Sequence, residues 1–483
     1  MKVLLNYNFA PDDIVDGDFS ALFERKRRDS TFAFVFEDNE HIYAIRDHLG
    51  IVPLYYRCKD GRYQFSTNFS DLIESGDKLD ERGLRSLLGF GTPRLFPLIE
   101  GINIVPPGSV LEIDKTNNRV RVVFQYKIKP QRISALTSMN TLVKEVEELL
   151  LNAVTRLVRY DTVGLYLSGG MDSALVGIYL KKLGVEVNAY TSAPWGRISS
   201  EIPYAKTNAE IIGVRNHYID YLETAKYMES FYSIPEIYGI PHGTSTTIGV
   251  ASLWRNTPLE NEEQIFFGQN CDTMTCSVIQ QYTMYFIHLL LKPMMKYLPN
   301  SIRTKLRIPH DEMLVNYISF VSKGLISQYP PIYKLQNALQ ISNIQLMTLA
   351  GMYIGHTPCD SEELSQPAIQ RSILVSNPYY DMDLIEYCLS IPLRFRIGLS
   401  LKSKTIFSLQ KRVLRKLALN YLPRDLVYRK KGFTVSLDRD RRTRTLVDLL
   451  PSSISGIRLD NIESRIAAGV LQRWCEMNGL ECS

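Results

Sequence analysis

The sequence has few cysteines, and none of them forms a pair with redox or metal-ligand spacing. Seven cysteines are scattered over 483 residues without a single Cys-x-x-Cys. This excludes a disulfide-rich secreted scaffold and is typical of reduced thiols in a cytoplasm-like compartment. Cys271 and Cys276 are near neighbours, but no second Cys or His pair accompanies them, so the spacing does not favour a zinc site.

Long hydrophobic runs and a strong charge of one sign are also missing. The most apolar stretch, residues 284–295 (MYFIHLLLKPMM), is interrupted by His288 and Lys292 and falls short of the roughly 18–20 residues of a membrane span. The first residues, MKVLLNYNFAPDD, contain too short an apolar run for a signal peptide. The net charge of +5 is mild and fits an anionic ligand better than a nucleic acid. We therefore expect a soluble, cytoplasmic protein with no membrane partner.

The first 130 residues predict strands joined by short turns, with two helices between them. Within residues 53–68 an Asp60-Gly61 dipeptide separates two β-rich runs, which is a strong hairpin signal. Mixed hairpins and helices indicate an α+β layered domain. The predicted strands lie at 31–38, 41–47, 53–68, 105–113 and 120–128, and the predicted helices near 69–75 and 81–90.

A polar linker at 127–140 precedes a different pattern. An amphipathic helix comes first, with apolar residues at helical spacing, and strands and helices then alternate. Such alternation predicts a parallel, doubly wound sheet, and the remainder reads mainly helical. The helix positions are Leu142, Val146, Leu149, Leu150, Ala153 and Leu157; the strands are 162–167, 185–192, 216–220 and 264–268; the helices between them are 173–184 and 203–213.

The segment LSGGMDS, residues 167–173, follows the first strand of this second region. Ligands of doubly wound sheets bind beyond the carboxyl ends of the strands. Gly169 and Gly170 permit unusual backbone angles and close approach, so successive N–H groups can form an anion-binding cradle at a helix N-terminus. Ser168 and Ser173 add hydroxyl donors. Because no GxxxxGK[ST] occurs, this is not a Walker A loop.

Asp172 is the unexpected member of the segment, because a carboxylate repels phosphates. Its presence is explained if it binds a cation that bridges to the phosphates, normally Mg²⁺. The alternative is a glycine-rich turn in which Asp172 caps the helix. The complete SGGxDS pattern between a strand and a helix favours the first interpretation. The sequence therefore predicts binding of ATP with Mg²⁺.

SGGMDS resembles the pyrophosphate loop of the asparagine synthetase B superfamily, which includes glutamine-dependent asparagine synthetases, β-lactam synthetases and lasso-peptide cyclases. Four further stretches also resemble the family and occur along the chain in the family's order: 45–56 (IRDHLGIVPLYY), 91–113, 377–392 and 414–433. The resemblance implies an α+β N-terminal amidohydrolase-like (Ntn-type) sandwich at 1–130. It also implies an α/β doubly wound parallel-sheet ATP-pyrophosphatase domain with a helical C-terminal half at 138–483.

The resemblance further implies that a substrate carboxylate attacks the α-phosphate of ATP, so that an acyl-adenylate forms and pyrophosphate leaves. An amine or ammonia then attacks the activated carbonyl. Asp172 and Asp272 are the implied metal ligands; for Asp272 the less favoured alternative is a loop or helix-cap aspartate. The expected nucleotide pocket consists of Leu167, Ser168, Gly169, Gly170, Asp172, Ser173, Tyr190, Thr191 and Gly268.

The catalytic cation implied by the resemblance is Lys431. The family carries an Arg-x-Lys just before a Gly-Phe or similar pair, and residues 429–433 (RKKGF) lack one residue between lysine and glycine. Lys430 is therefore a rival for the same role. The alternative is a basic, solvated surface turn, because the C-terminal half is rich in Lys and Arg. Nucleic-acid binding through 424–444 is disfavoured, since aromatic stacking residues are not interleaved there.

Two departures from the family pattern point away from glutamine-dependent asparagine synthesis. Glutamine-dependent members carry a cysteine directly after the initiator methionine, whereas Lys2 follows Met1 here and the first cysteine is Cys58. Gln269 stands where asparagine synthetases have a glutamate, and an amide cannot accept a proton near neutral pH. We expect a glutamine-independent ligase, with an intramolecular amine favoured by proximity, as in lasso-peptide cyclases.

The expected partners are a carboxylate substrate and an amine, possible candidates being a precursor peptide and its protease. Two alternatives stay open at this point. One is an ammonia-dependent asparagine synthetase, which keeps the same chemistry. The other is a catalytically inactive nucleotide-binding scaffold, which the RKKGF spacing and the altered 268–272 segment would suit.

Overall fold

The computed structural model describes most of the chain, and every structural statement below refers to the described part. The described residues are 2–11, 18–28, 31–91, 96–129, 133–134, 136–193, 201–222, 224–271, 274, 299, 356–396, 411–428, 449–459 and 462–482.

The N-terminal region contains two antiparallel sheets. One has five strands in the order β1-β2-β3-β7-β8, and the other has three in the order β5-β4-β6. Asp60 and Gly61 both adopt positive φ angles, 50° and 75°, which matches the twist of a tight hairpin and confirms the predicted turn. The strands are β1 Lys2–Tyr7, β2 Ala33–Glu37, β3 His41–Arg46, β4 Tyr55–Lys59, β5 Arg62–Ser66, β6 Ile102–Ile104, β7 Ser109–Asp114 and β8 Val120–Gln125.

The region after the linker contains a parallel sheet of five strands in the order β11-β10-β9-β12-β13. Four of these strands and their parallel pairing confirm the prediction from alternation. The fifth, β13, was missed because it is three residues long and lies in a stretch that reads as helical. The strands are β9 Thr162–Tyr166, β10 Glu186–Ala193, β11 Asn216–Tyr221, β12 Gln264–Phe266 and β13 Leu374–Ser376; a short hairpin follows with β14 Ser453–Ile454 and β15 Ile457–Arg458.

Helices flank both regions, and the predicted amphipathic helix extends over Met139–Leu157 with Leu142, Val146 and Leu150 buried. The first predicted helix, near 69–75, is a 3₁₀ turn at Phe69–Leu72. The α-helices are α1 Phe19–Arg25, α2 Glu81–Phe90, α3 Met139–Leu157, α4 Met171–Lys182, α5 Ile202–Ile212, α6 Thr224–Tyr238, α7 Ser245–Asn256, α8 His356–Gln370, α9 Met382–Ser390, α10 Leu393–Arg396, α11 Arg412–Ala418, α12 Arg424–Tyr428 and α13 Ile462–Asn478.

Hydrogen bonds join the N-terminal sheets to the second region. Ser464 in α13 donates to the carbonyl of Leu88 at 2.6 Å, and Gln366 in α8 donates to that of Thr67 at 2.8 Å. Near-complete burial of Trp474 and Phe69, whose ring centroids are 6.1 Å apart, adds an apolar contact across the same junction. Of the helices in the described ranges, none has both the length and the apolar character required to cross a bilayer.

Candidate functional site

The SGGMDS loop lies at the carboxyl end of β9, the central strand of the parallel sheet. The amide of Ser168 donates to Oγ of Ser173 at 3.1 Å, and the amide of Gly170 donates to Oγ of Ser168 at 3.1 Å. The loop then enters α4, a helix of 12 residues whose N-cap is Gly170. Since glycine offers no capping side chain, the N-terminal amides of α4 face the position where an anion would bind.

Gly169 serves close packing, which corrects part of the reasoning from sequence. Neither Gly169 nor Gly170 has a left-handed backbone, and φ of Gly170 is −87°. A Cβ on Gly169 would lie 2.8 Å from both the carbonyl oxygen of Glu201 and Cβ of Tyr204. The absence of a side chain therefore lets α5 approach the loop, while the unusual backbone angles that we expected are not used.

Asp172 is held at the mouth of the loop by groups from three other parts of the chain. Its Oδ2 forms an ion pair with Nζ of Lys411, whose side chain is 6% exposed. Its Oδ1 accepts from the thiol of Cys271 at 3.1 Å, and its carbonyl oxygen accepts from the hydroxyl of Tyr379 at 3.0 Å. Burial, and then the neighbouring Cys271 and Asp172, raise the pKa of Tyr379 well above its usual value, so this hydroxyl stays protonated and donates.

The segment 268–271 packs directly on the start of α4. A Cβ on Gly268 would lie 2.7 Å from the amide nitrogen of Ser173, so only glycine fits there without displacing the helix. The carbonyl of Gln269 accepts from Asn377 Nδ2 at 2.9 Å, and Asn270 Nδ2 donates to the carbonyl of Tyr379 at 2.9 Å. The short strand β13 and the turn after it therefore hold this segment beside the loop.

Strand β10 presents its two predicted pocket residues to opposite faces of the sheet. Thr191 Oγ1 donates to the carbonyl of Leu167 at 2.6 Å and accepts from Nε2 of His217 at 2.9 Å, so it belongs to the loop side. Burial lowers the pKa of His217, which keeps its imidazole neutral.

The side chain of Tyr190 faces the other side of the sheet, where it donates to Oε1 of Glu262 at 2.6 Å and stacks on Tyr218. Only the backbone of Tyr190 reaches the loop, through a 2.9 Å bond from the amide of Leu167.

The chemistry of these residues fits a phosphate group with a divalent cation. Gly170 leaves the N-terminus of α4 without a capping side chain, and a carboxylate oxygen is the ligand type that Mg²⁺ prefers. Lys411 supplies a buried positive charge that phosphate oxygens can use. Within the described ranges no group of three or more His, Cys, Asp or Glu side chains forms a metal cluster by itself. Asp272, Lys430 and Lys431 lie outside the described residues, so their predicted roles stay predictions.

Three residues beside the loop were not identified from the sequence. Lys411 stands 239 positions from its partner Asp172, and no local pattern marks it. Glu201 Oε2 accepts from the amide of Gly169 at 3.2 Å. Asn208 is fully buried in α5 and donates to the carbonyls of Ser168 and Gly170 at 3.0 and 3.2 Å. A polar residue on the apolar face of α5 was the one available signal, and it pointed to Asn208 alone.

Comparison with protein families agrees with this geometry. The asparagine synthase family matches residues 145–255 and 343–467, and the glutamine amidotransferase domain matches residues 25–126. The chain belongs to the asparagine synthetase superfamily. Members of this superfamily are ATP-dependent carbon–nitrogen ligases that form AMP and use ATP with Mg²⁺. The matched segments include Ser168–Ser173 and Lys411, whereas Gly268, Gln269 and Asp272 fall between them.

Individual relatives of this asparagine synthetase-like chain are distant. Asparagine synthetase [glutamine-hydrolyzing] 3 of Bacillus subtilis is 21% identical over 83% of this chain and 66% of the relative. Asparagine synthetase [glutamine-hydrolyzing] 1 of the same organism is 28% identical over 38% of this chain and 30% of the relative. The Gallus gallus asparagine synthetase [glutamine-hydrolyzing] is 27% identical over 33% of this chain. The matched part thus spans less than two thirds of each relative.

Proposed function

We propose that this protein is an ATP-dependent amide-bond-forming ligase that adenylates a substrate carboxylate and passes the acyl group to an amine without hydrolysing glutamine. Its products would be AMP, pyrophosphate and an amide. The observation that carries the proposal is the SGGMDS loop at the carboxyl end of β9, with Gly268 closed against it and Asp172 at its mouth. The synthetase part would occupy residues 138–483 and the N-terminal part residues 1–130.

The residues of the loop would divide the work on the nucleotide. We assign the pyrophosphate portion of ATP to the N-terminus of α4, because the amides of Ser168, Gly169 and Gly170 donate to side-chain oxygens of the protein itself. Asp172 would hold Mg²⁺, together with Asp272. A bound Mg²⁺ supplies positive charge at the leaving pyrophosphate. Lys411 would turn from Asp172 to the phosphates when the metal takes its place, and Lys431 or Lys430 would neutralise charge that develops at the reacting centre.

Glutamine independence is supported by the surroundings of Cys58 and by Gln269. Among residues 1–129 Cys58 is the only cysteine, and it lies inside β4 opposite Tyr63. Its backbone nitrogen is therefore an amide in a strand, and it has no terminal amine to act as general base. Gln269, beside the loop, offers an amide where a proton-accepting carboxylate would suit ammonia as the nucleophile.

An amine carried by the substrate itself fits these features best, which leads to a lasso-type peptide cyclase as the preferred subclass. An amine that is part of the bound substrate is already held near the activated carbonyl, so no second reactant has to be bound from solution. The substrate would then be a precursor peptide whose N-terminal amine attacks its own activated Asp or Glu side chain. A protease that trims that precursor would be the partner protein.

The proposal is tested with purified full-length protein, Mg·ATP and two alternative substrates. One is a peptide with a free amine and an acidic side chain, encoded beside the gene, and the other is aspartate with ammonium. Formation of AMP, pyrophosphate and a peptide product lighter by one water supports the cyclase. Asparagine formation would favour the ammonia-dependent synthetase, and ADP with phosphate would reject adenylation altogether.

Variants separate an enzyme from an inactive nucleotide-binding scaffold. We expect Asp172→Ala and Lys431→Ala to abolish AMP formation, while Lys416→Ala, an exposed lysine on α11, leaves it unchanged. If Lys430→Ala is the inactive variant instead, Lys430 holds the catalytic position. Binding of Mg·ATP without AMP formation with either substrate would favour the inactive scaffold.

A further inference from the structure

Helix α13 ends in a hydrogen-bond pattern that reverses the chain. The amide of Leu480 donates to the carbonyl of Cys475 at 2.9 Å, and the amide of Gly479 donates to that of Glu476 at 3.4 Å. Gly479 has a left-handed backbone with φ of +64°. These three features define a Schellman motif, in which the residues after the helix fold back along its last turn. The motif therefore returns residues 480–482 to the level of Cys475.

The reversal brings two thiols together. Cys475 is buried in the last turn of α13, and Cys482 is partly exposed while it packs against the same apolar core. The two thiols are close enough to influence each other's ionisation. Their interaction lowers the pKa of Cys482, and the same interaction, followed by burial, raises the pKa of Cys475. The exposed sulfur is thus the better thiolate, and the buried one is the natural resolving thiol.

We propose that Cys475 and Cys482 are a reversible modification site at which an intramolecular disulfide forms under oxidising conditions. With a small disulfide such as oxidised glutathione as the oxidant, the thiolate of Cys482 attacks one sulfur and releases one glutathione. The thiol of Cys475 then loses its proton and attacks the mixed disulfide, which releases the second glutathione. The protein loses two electrons and two protons, and the oxidant gains them as two thiols.

The consequence of the bond follows from the position of α13 in the molecule. The helix contacts both regions, since Ser464 donates to the carbonyl of Leu88 and Trp474 Nε1 donates to that of Gly239 at 3.1 Å. A disulfide between residues 475 and 482 restricts the unfolded chain and prevents the end of α13 from fraying. Oxidation would therefore stabilise the junction between the N-terminal sheets and the parallel sheet, whether or not the proposed ligase activity is correct.

The other described thiols are placed differently. Cys58 is exposed on β4, Cys271 donates to Asp172 beside the loop, and Cys388 is buried in α9, where burial raises its pKa to about 12. These three lie in separate elements, so none shares the short return path that joins Cys475 to Cys482.

The test uses the full-length protein, oxidised glutathione, and peptide mapping without reduction. Trypsin releases the residues after Arg473 as one peptide that contains both cysteines. We expect this peptide to lose about 2 Da and to resist alkylation by iodoacetamide, and dithiothreitol to restore alkylation. Cys482→Ser should prevent the mass loss, whereas Cys58→Ser should leave it unchanged. A second readout is the melting temperature, which should rise on oxidation by a few degrees in the unmodified protein and not in Cys482→Ser.

Two outcomes of the peptide mapping would overturn the proposal. One is full alkylation of both cysteines after oxidant treatment. The other is a stable glutathione adduct on Cys482 that Cys475 never resolves. If Cys482→Ser gives the same rise in melting temperature as the unmodified protein, the stabilisation comes from another thiol and the assignment is wrong.

Discussion

At the scale of single residues, the pair Asp172 and Lys411 dominates the electrostatics of the loop. Their charged atoms form an ion pair. The side chain of Lys411 is 6% exposed and that of Asp172 is 17% exposed. Breaking a buried ion pair on one side costs far more than replacing both partners, because one charge stays enclosed without its counter-charge. The pair thus stabilises the loop, and under the proposed function it would have to separate to free Asp172 for the metal and Lys411 for the phosphates.

This arrangement predicts that a double variant at Asp172 and Lys411 recovers stability but does not recover nucleotide binding. We expect Asp172→Asn or Lys411→Met alone to lower the free energy of unfolding by about 3 kcal/mol, and the double variant to recover most of that loss. Binding of Mg·ATP should not recover, because the proposed function places both groups in contact with the nucleotide or its metal. Chemical denaturation and calorimetry measure the two quantities. Additive losses of stability in the double variant would contradict the pairing.

A second residue-scale prediction concerns Gly268. Its Cβ position is 2.7 Å from the amide nitrogen and 2.9 Å from Cα of Ser173, which are rigid backbone atoms. Gly268→Ala must push the first turn of α4 away, so we expect Mg·ATP to bind at least about tenfold more weakly, measured by calorimetry. Gly249→Ala in α7 is the control, because its Cβ would meet only the Ser192 hydroxyl, at 2.7 Å, and a hydroxyl can rotate away.

At the scale of elements, His48 joins α1 to the antiparallel five-stranded sheet of the N-terminal region. Its imidazole is fully buried among Phe23, Phe32 and Tyr126, and Nε2 lies 2.9 Å from the carbonyl of Phe23. Because a carbonyl oxygen can only accept a hydrogen bond, Nε2 carries the proton and donates it. Burial lowers the pKa of His48 to about 3, so the packing of α1 depends on a neutral ring.

The direction of the pH dependence follows from that shift. The unfolded chain binds the proton near pH 6.5 and the folded chain only near 3, so the stability is present above pH 6.5 and is lost as the pH falls. His48 alone should cost about 2 kcal/mol at pH 5 relative to pH 7. We expect His48→Gln to be less stable at pH 7 but less sensitive to acid, as measured by melting at both pH values. His41→Gln, at a partly exposed site on β3, should keep the slope of the unmodified protein.

At the scale of the whole molecule, a charged network ties the N-terminal region to α9. Arg27 donates to Asp383 at 2.9 Å and to Glu386 at 2.6 Å, and the amide of Lys129 donates to Glu386 at 2.7 Å. Burial raises the pKa of Glu386, whose side chain is 3% exposed. A carboxylate in that position needs its guanidinium partner in order to stay charged. Arg27 is therefore one of the groups that couple the two regions, together with Arg28, which also pairs with Asp383 at 2.7 Å.

This coupling predicts that the network controls cooperative unfolding. We expect Arg27→Met to reduce the free energy of unfolding by about 3 kcal/mol and to split the calorimetric transition into two, since the two regions are built on separate sheets. Arg62→Met, an exposed position on the β4–β5 hairpin, should leave one transition. A single unshifted transition in Arg27→Met would mean that apolar contacts such as Trp474 against Phe69 carry the coupling.

The sequence alone determined the features that contiguous residues encode. The Asp60-Gly61 turn, the helix Met139–Leu157, four parallel strands and the loop after β9 all follow from local pattern, because periodicity and turn chemistry act over a few neighbouring residues. The division at 130–138, the finer assignment of the N-terminal sandwich, and the roles of Lys430, Lys431 and Asp272 stay predictions.

Only the tertiary structure decided which distant groups surround the loop. Lys411, Tyr379 and the three-residue strand β13 reach the loop through folding of segments more than 200 positions away, and no local pattern records such a meeting. The same holds for the split between Tyr190 and Thr191, because successive side chains of a strand face opposite sides and only the register shows which side holds the site. The physical reason is that charge pairing and burial depend on distance in space, whereas sequence records distance along the chain.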